Sequence, residues 1–138
     1  MQSGPALKQG LAVLEGRYAI VRLPADADVP AWVDPVGRGG AGGFFSVTRT
    51  EGELSLVLDE GWVPGGVQAE SDWVLMRVEG TLEFGLIGVL ADLTRVLAGV
   101  EVSVFVLSTY DTDYLLVKAD RLPAARAALA AAGHSVVG

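Results

Sequence analysis

Short apolar runs alternate with polar or glycine-rich segments in the first half of the chain. The run LAVLEGRYAIVRL, residues 11–23, predicts two strands that break at Glu15-Gly16. Next, PADADVPAW predicts a helix of a turn or two, and VGRGGAGG predicts a loop. The runs FFSVTRT and ELSLVLDE then flank Glu51-Gly52 and predict a hairpin, because β-branched and aromatic residues favour strands.

The second half of the chain has a clearer periodicity. Residues 73–78, WVLMRV, predict a strand, and leucines spaced four, three and four residues apart then predict one face of a helix that ends near Gly99. VSVFVL and YLLVK predict a second hairpin, and HSVV predicts a closing strand after a last helix that stops at Gly133. The apolar stripes of the two predicted helices are Leu86, Leu90, Leu93 and Leu97, and Leu122, Ala125, Leu129 and Ala132.

The predicted elements of the second half follow the order β-α-β-β-α-β. This is the order of a ferredoxin-like sandwich, in which an antiparallel four-stranded sheet carries both helices on one face. Each helix can bury its apolar stripe only against the sheet, so the opposite sheet face needs a cover of its own.

The two predicted hairpins are similar to each other. A shift of sixty residues lays residues 45–60 onto residues 105–120 with seven like positions in sixteen, among them Glu53 on Asp113. We therefore predict an α+β fold of two tandem ferredoxin-like units with antiparallel sheets, the first of which lacks most of its second helix. The predicted organisation is an N-terminal tail over 1–10, a degenerate first unit over 11–70 and a complete second unit over 71–138.

Composition argues against several classes of function. The 138 residues carry a formal net charge of -7 and their ten Lys and Arg residues are scattered, so neither nucleic acid nor a membrane is expected as a partner. With no Cys and one His, the chain lacks an ordinary zinc or copper site, and no metal or cofactor is expected. No apolar run approaches the length of a membrane span and no secretory signal is recognisable, which favours a cytoplasmic location.

Three segments carry a resemblance to a known family: FFSVTRTEGELSLVLDE, VEGTLEFGLIGVLADLTRVLA and above all SVFVLSTYDTDYLLV. Together they resemble the ACT domain family, small ferredoxin-like ligand-binding modules of amino-acid metabolism. More narrowly, the chain is similar to bacterial tandem ACT proteins related to CASTOR, the cytosolic arginine sensors of animals. The resemblance implies two ACT units, a free amino acid bound at a seam between units, dimerisation and no catalysis.

The resemblance also implies roles for particular residues. Gly88 stands at the glycine where the first strand's loop enters its helix, and Ser108 and Asp113 match the serine and aspartate of the sensors' ligand site. The first unit has Thr48 and Glu53 at the positions taken to match that pair. Because the animal sensors have four units and this chain has two, an equivalent assembly would be a homodimer.

A free amino acid is a zwitterion, so its site needs donors for the carboxylate and acceptors for the ammonium group. The segment FGLIGVL supplies donors, because free N–H groups and the dipole at a helix start attract an anion. The candidate residues there are Gly85, Ile87, Gly88 and Val89. The alternative is that the glycines serve only the packing of helix on sheet.

The segment STYDTD supplies acceptors. Asp113 borders an apolar strand, where partial desolvation strengthens an ion pair with an ammonium or guanidinium group. Ser108 can donate or accept, and Thr109 completes the candidate set. The alternative is that the acids bond backbone N–H groups of the turn, a role that we assign to Asp111. Together with Glu83, these acids favour a ligand with a cationic side chain such as that of arginine or lysine.

The sequence thus predicts a non-catalytic regulatory or sensor protein that binds a small molecule, a free amino acid, and forms a homodimer. The alternative is a purely structural module for homo-oligomerisation or protein interaction, in which the polar turn is only a turn. An enzyme is disfavoured, because a lone His and the lack of Cys leave no concentration of catalytic groups.

Overall fold

A computed structural model of the protein describes residues 8–33, 43–79 and 88–138. The chain divides into two compact units, a first unit of Glu15–Val74 and a second unit of Met1–Leu14 with Leu75–Gly138. The described strands are β1 (Gly10–Val13), β2 (Tyr18–Leu23), β3 (Ser46–Arg49), β4 (Leu54–Asp59), β5 (Ala69–Val78), β6 (Phe105–Ser108), β7 (Asp113–Lys118) and β8 (Ser135–Val137), and the α-helices are α1 (Val89–Gly99) and α2 (Leu122–Ala131).

The first unit keeps the strand arrangement of a ferredoxin-like sheet without its second helix. Its strand order is β3-β4-β2-β5, and neighbouring strands are antiparallel. Leu54, Leu56 and Leu58 are buried because alternate side chains of β4 point to the same face. A 3-10 turn at Glu60–Trp62 stands between β4 and β5, where the complete fold has a helix. The predicted loss of this helix is confirmed.

Strand β5 is longer than its apolar pattern predicts. It begins at Ala69 rather than Trp73, and Ala69 pairs with Val21 of β2. The register shifts along this pair of strands, and Asp72 has a φ of 66°. The residues before Trp73 are mostly polar and exposed. Because strands pair through backbone groups, such a segment joins a sheet without an apolar signal.

The second unit has the strand order β8-β1-β5-β7-β6. Strand β1 is antiparallel to β5 and parallel to β8, although the sequence pattern placed it at the start of the first unit. The remaining elements run β5-α1-β6-β7-α2-β8, which confirms the predicted ferredoxin-like order. The α+β fold of two tandem ferredoxin-like units is therefore present, and β1 inserts between the two strands that begin and end the second unit.

The core of the second unit lies between its two helices and its sheet. Leu93 and Leu97 of α1 and Ala125 and Leu129 of α2 are fully buried, as their spacing predicts. Leu86, the first leucine of the predicted stripe, lies outside the described residues. The sheet side of this core is formed by Leu11, Met76, Val78, Leu115 and Val117. In the part of the chain that the structure describes, neither α-helix is long and apolar enough to cross a membrane.

His134 is a structural residue that connects three segments of the second unit. The main-chain N–H of Gln9 donates to Nδ1 at 3.0 Å, so Nδ1 carries no proton and Nε2–H donates to Oδ2 of Asp92 at 2.9 Å. His134 is 4% exposed. A hydrogen bond from Arg95, opposed by burial and supported by the bond from His134, lowers the pKa of the Asp92 carboxyl below its ordinary value.

Candidate ligand-binding site

Ser108 and Asp113 lie side by side at the turn end of the β6–β7 hairpin. They form the cross-strand pair next to the turn, and Oγ of Ser108 donates to Oδ1 of Asp113 at 2.6 Å. Ser108 is exposed and Asp113 is half-buried. A hydroxyl bonded to a carboxylate at this distance makes a charge-assisted hydrogen bond. The structure therefore brings these two predicted site residues together.

The Ser108–Asp113 pair can only accept hydrogen bonds from a ligand. The hydroxyl proton of Ser108 is already donated to Asp113, and an ionised carboxylate has no proton to donate. Within residues 8–33, 43–79 and 88–138, Oδ2 of Asp113 has no hydrogen-bond partner. This arrangement suits an ammonium or guanidinium group and disfavours a carboxylate.

Thr109 forms the turn itself. Its main-chain N–H donates to the carbonyl oxygen of Thr112 at 2.8 Å, and its hydroxyl accepts from the main-chain N–H of Thr112 at 3.3 Å. The same hydroxyl lies 3.2 Å from the Thr112 carbonyl oxygen, to which it can donate. Thr109 thus holds the end of the hairpin in shape, while its part in ligand binding stays a prediction.

Thr112 fixes this turn to the end of β5. It is 8% exposed, and its hydroxyl donates to the carbonyl oxygen of Val78 at 2.8 Å. Val78 is the last residue of β5, from which the chain continues toward α1. The hairpin turn therefore lies beside the start of that connection. Sequence reasoning missed Thr112; the signal was a hydroxyl between two acids, which would pair with backbone if buried.

The start of α1 shows why a glycine stands at position 88. Gly88 has φ 90° and ψ 0°, the left-handed conformation that side chains disfavour, and its carbonyl oxygen accepts from the N–H of Asp92 at 2.9 Å. The Val89 side chain is buried in the core, so its main-chain N–H is the group that remains for a ligand. Gly85 and Ile87, the other two predicted donors, lie outside the described residues.

Arg77 and Glu79 form an ion pair at the end of β5. Nε of Arg77 donates to Oε2 of Glu79 at 3.0 Å, and this bond raises the pKa of Arg77 above its ordinary value against the effect of burial. The charge of Arg77 is thereby balanced locally.

The strand register corrects the equivalence between the two hairpins. A shift of 59 residues, not sixty, carries the pair Ser46–Val57 onto the pair Phe105–Leu116. The turns agree with this shift, because the N–H of Thr50 donates to the carbonyl oxygen of Glu53 just as that of Thr109 donates to Thr112.

The corrected register changes which first-unit residues correspond to the candidate pair. Arg49 and Leu54, rather than Thr48 and Glu53, occupy the positions of Ser108 and Asp113. A slip of one residue moves every side chain to the other face of a strand, so the prediction for Thr48 and Glu53 was wrong. The first unit has no Ser–Asp pair at this position.

Two family models match successive segments of the chain. The ACT domain model matches residues 68–131, and a model of an N-terminal domain matches residues 16–66. The crystal structure of protein Atu0741 from Agrobacterium tumefaciens is 36% identical in sequence, covers 96% of each chain and has a TM-score of 0.87. The chain belongs to the same family as this protein and carries an ACT domain. None of the curated proteins matches the sequence.

Regulatory domains of aspartate kinases share the fold of this ACT protein. The regulatory subunit of aspartate kinase from Thermus thermophilus is 14% identical, with a TM-score of 0.63 over 91% of this chain and 99% of that one. Aspartokinase III from E. coli, solved in complex with aspartate and ADP, is 12% identical, with a TM-score of 0.63 over 96% of this chain and 35% of that one. At these identities the likeness establishes the fold alone.

Proposed function

We propose that this protein is a non-catalytic regulatory module that binds a free amino acid beside the Ser108–Asp113 pair. The observation that carries the proposal is the 2.6 Å bond by which Ser108 donates its proton to Asp113, because it leaves the pair with acceptors alone. The ACT domain match and the aspartate kinase regulatory relatives support a regulatory role for the binding.

The ligand that fits best is an amino acid with a cationic side chain. Asp113 and Ser108 receive an ammonium or guanidinium group, while main-chain N–H groups at the start of α1 face the negative end of the zwitterion. Gly88 supports this second part, because its left-handed conformation begins the helix without a side chain over those N–H groups. Gly85, Ile87, Val89 and Thr109 are proposed as further contacts through their main-chain groups.

The regulatory action that we propose is a change of assembly. Strand β6 pairs with β7 alone among the described strands, so its other edge can receive a strand of a second copy of the chain. A ligand that binds the homodimer more tightly than the free chain would shift the equilibrium toward the homodimer. The cytoplasmic location and the relationship to arginine sensors remain predictions.

A thermal-shift screen against the twenty amino acids tests the proposal. A ligand at about 100 times its Kd stabilises the folded state by about 2.7 kcal/mol, and we expect L-arginine or L-lysine to raise the Tm most. Asp113→Asn should abolish the shift because the neutral amide loses the ion pair, whereas Ser108→Ala should weaken it. Asp111→Asn is the matched control, since Asp111 is an exposed acid of the same turn.

Two results would count against amino-acid binding. No shift with any of the twenty at millimolar concentration would favour the structural alternative, in which the polar turn only closes the hairpin. If Asp111→Asn and Asp113→Asn lose the ligand-induced rise in Tm equally, the ligand does not bind specifically at the Ser108–Asp113 pair. Light scattering with and without the stabilising amino acid then measures whether assembly depends on the ligand.

A further inference from the structure

Arg49 stands in the first unit where Ser108 stands in the second. Both residues end the outer strand of a hairpin and precede a turn closed by a threonine N–H. The partner position differs as well, because fully buried Leu54 replaces Asp113. The first unit thus has a cation of its own at a position where the second unit has an acceptor pair.

The guanidinium of Arg49 is held by main-chain carbonyl groups. Nη1 donates to the carbonyl oxygen of Ala25, and Nη2 donates to that of Ala27 at 2.7 Å. A planar guanidinium with two divergent N–H donors fits two carbonyl oxygens of one short segment better than an ammonium does. Arg49 is therefore bound by this segment rather than extended into solvent.

The segment that binds Arg49 corresponds to the connection between β5 and α1. In the first unit β2 lies beside β4, and in the second unit β5 lies beside β7, so β2 and β5 are equivalent strands. Ala25 and Ala27 follow β2 as the connection toward α1 follows β5. Arg49 thus connects the hairpin of the first unit to the segment after β2. The corresponding segment of the second unit leads from β5 to the proposed ligand contacts.

A second arginine makes a similar bridge in the opposite direction. Nη2 of Arg22, on β2, donates to the carbonyl oxygen of Gly52 in the hairpin turn at 2.9 Å. In the second unit the corresponding connection between turn and strand is the neutral bond from Thr112 to Val78. In the first unit, therefore, guanidinium groups of the chain itself connect the hairpin to β2 and to the segment that follows β2.

We propose that Arg49 is a built-in occupant of a latent guanidinium-binding position in the first unit. Its guanidinium lies on the segment of the first unit that corresponds to the connection between β5 and α1, beside the proposed ligand contacts of the second unit, and the chain binds one ligand rather than two. The statement about ligand number rests on the proposed function, whereas the occupancy by Arg49 stands on the hydrogen bonds alone.

Chemical rescue of Arg49→Ala tests the occupancy. With ethylguanidinium as the probe, we expect saturable changes in the amide chemical shifts of residues 25–28 in the variant, larger than those with ethylammonium and absent from the wild type. Arg121→Ala is the matched control, because Arg121 is also exposed and donates to one carbonyl, that of Val100 at 3.1 Å. Arg49→Lys keeps the positive charge but lacks the planar pair of guanidinium donors. It should therefore restore the wild-type amide chemical shifts of residues 25–28 only in part.

The outcomes separate this inference from the proposed function. If ethylguanidinium binds Arg49→Ala no better than ethylammonium does, or shifts residues 25–28 equally in the wild type, the latent position does not exist. With L-arginine as the probe, the wild type should respond around residues 105–118 alone and Arg49→Ala around residues 25–28 as well. If the variant responds at 25–28 but neither L-arginine nor L-lysine causes a response at 105–118, the proposed function is overturned and the role of Arg49 stands.

Discussion

The hydroxyl of Thr112 donates a 2.8 Å hydrogen bond to the main-chain carbonyl oxygen of Val78. This one contact joins the tip of the β6–β7 hairpin to the last residue of β5, and both partners are buried. It places the Ser108–Asp113 pair at the end of the second unit from which the chain continues to α1. The position of the candidate site therefore depends on a residue outside the Ser108–Asp113 pair.

Replacing Thr112 by Val should destabilise the protein. The two side chains have nearly the same shape, but the variant leaves the buried carbonyl oxygen of Val78 without its donor, which costs about 1–3 kcal/mol. Urea unfolding followed by circular dichroism measures the change. Thr48→Val, at an exposed position of β3, is the control and should stay within about 0.5 kcal/mol of the wild type. Equal effects of the two variants would show that the Thr112 bond contributes nothing.

Replacing His134 by Ala should have a larger effect than replacing its exposed neighbour. The buried imidazole bonds both Gln9 and Asp92, so its loss leaves a cavity and two unpaired groups, and we expect a loss of about 2 kcal/mol or more. Ser135→Ala is the control, because the hydrogen bond of Ser135 to Gln9 uses the main-chain N–H. Thermal and urea unfolding of the wild type and the two variants measure the change in the free energy of unfolding. Similar stabilities of His134→Ala and Ser135→Ala would contradict a stabilising role of the His134 imidazole.

The stability of the protein should decrease in acid partly through Asp92. Arg95 and His134 lower the folded-state pKa of this carboxyl, so the stabilisation is complete above the unfolded-state pKa and is lost as the pH falls through the folded-state value. Unfolding free energies between about pH 6 and pH 2 should therefore converge for the wild type and Asp92→Asn. Arg126→Ala is the control, because Arg126 bonds Gly138 instead and should leave the Asp92 contribution unchanged. Parallel curves for wild type and Asp92→Asn would refute the assignment.

Two glycines at the ends of α1 should respond oppositely to alanine. Gly88 has φ 90°, so Gly88→Ala should destabilise by about 1–2 kcal/mol, and Gly88→Asn should cost less because Asn tolerates the left-handed conformation. Gly99 is in the last turn with open space around its Cβ position, so Gly99→Ala should stabilise by about 0.4–1 kcal/mol. Melting curves compare the three variants, and a stabilising Gly88→Ala would contradict the backbone conformation reported for this residue.

The apolar pattern predicted the elements well where each one buries a side-chain stripe. Leu93 and Leu97 are buried at the spacing that predicted α1, and Leu54 and Leu56 lie on the buried face of the predicted hairpin arm. The pattern failed at the start of β5, where exposed polar residues pair with β2. The spacing of apolar residues follows from which side chains of a helix or strand are buried. Hydrogen bonding between strand backbones does not require particular residue types, so the sequence pattern does not reveal it.

The candidate site was predicted in part. Ser108 and Asp113 were singled out from the turn sequence, and the structure places them in contact, yet their use by a ligand is still a prediction. The matching residues of the first unit were misassigned by one position, because a similarity of apolar and acidic residues does not determine strand register. Thr112 was missed because the sequence does not tell which hydroxyl of a polar turn is buried.

By itself the sequence determined the order of strands and helices and the ferredoxin-like class, since side-chain periodicity is a local property of each segment. The tertiary structure decided which strands are neighbours: β1 pairs with β5 and β8, although it is followed in the chain by β2. It also decided that Ser108 donates to Asp113 and that Arg49 binds Ala25 and Ala27. The Arg49 contacts join residues 24 and 22 positions apart in the chain, so no short stretch of sequence encodes them. The Ser108–Asp113 contact is local, and it depends on the register of the β6–β7 hairpin.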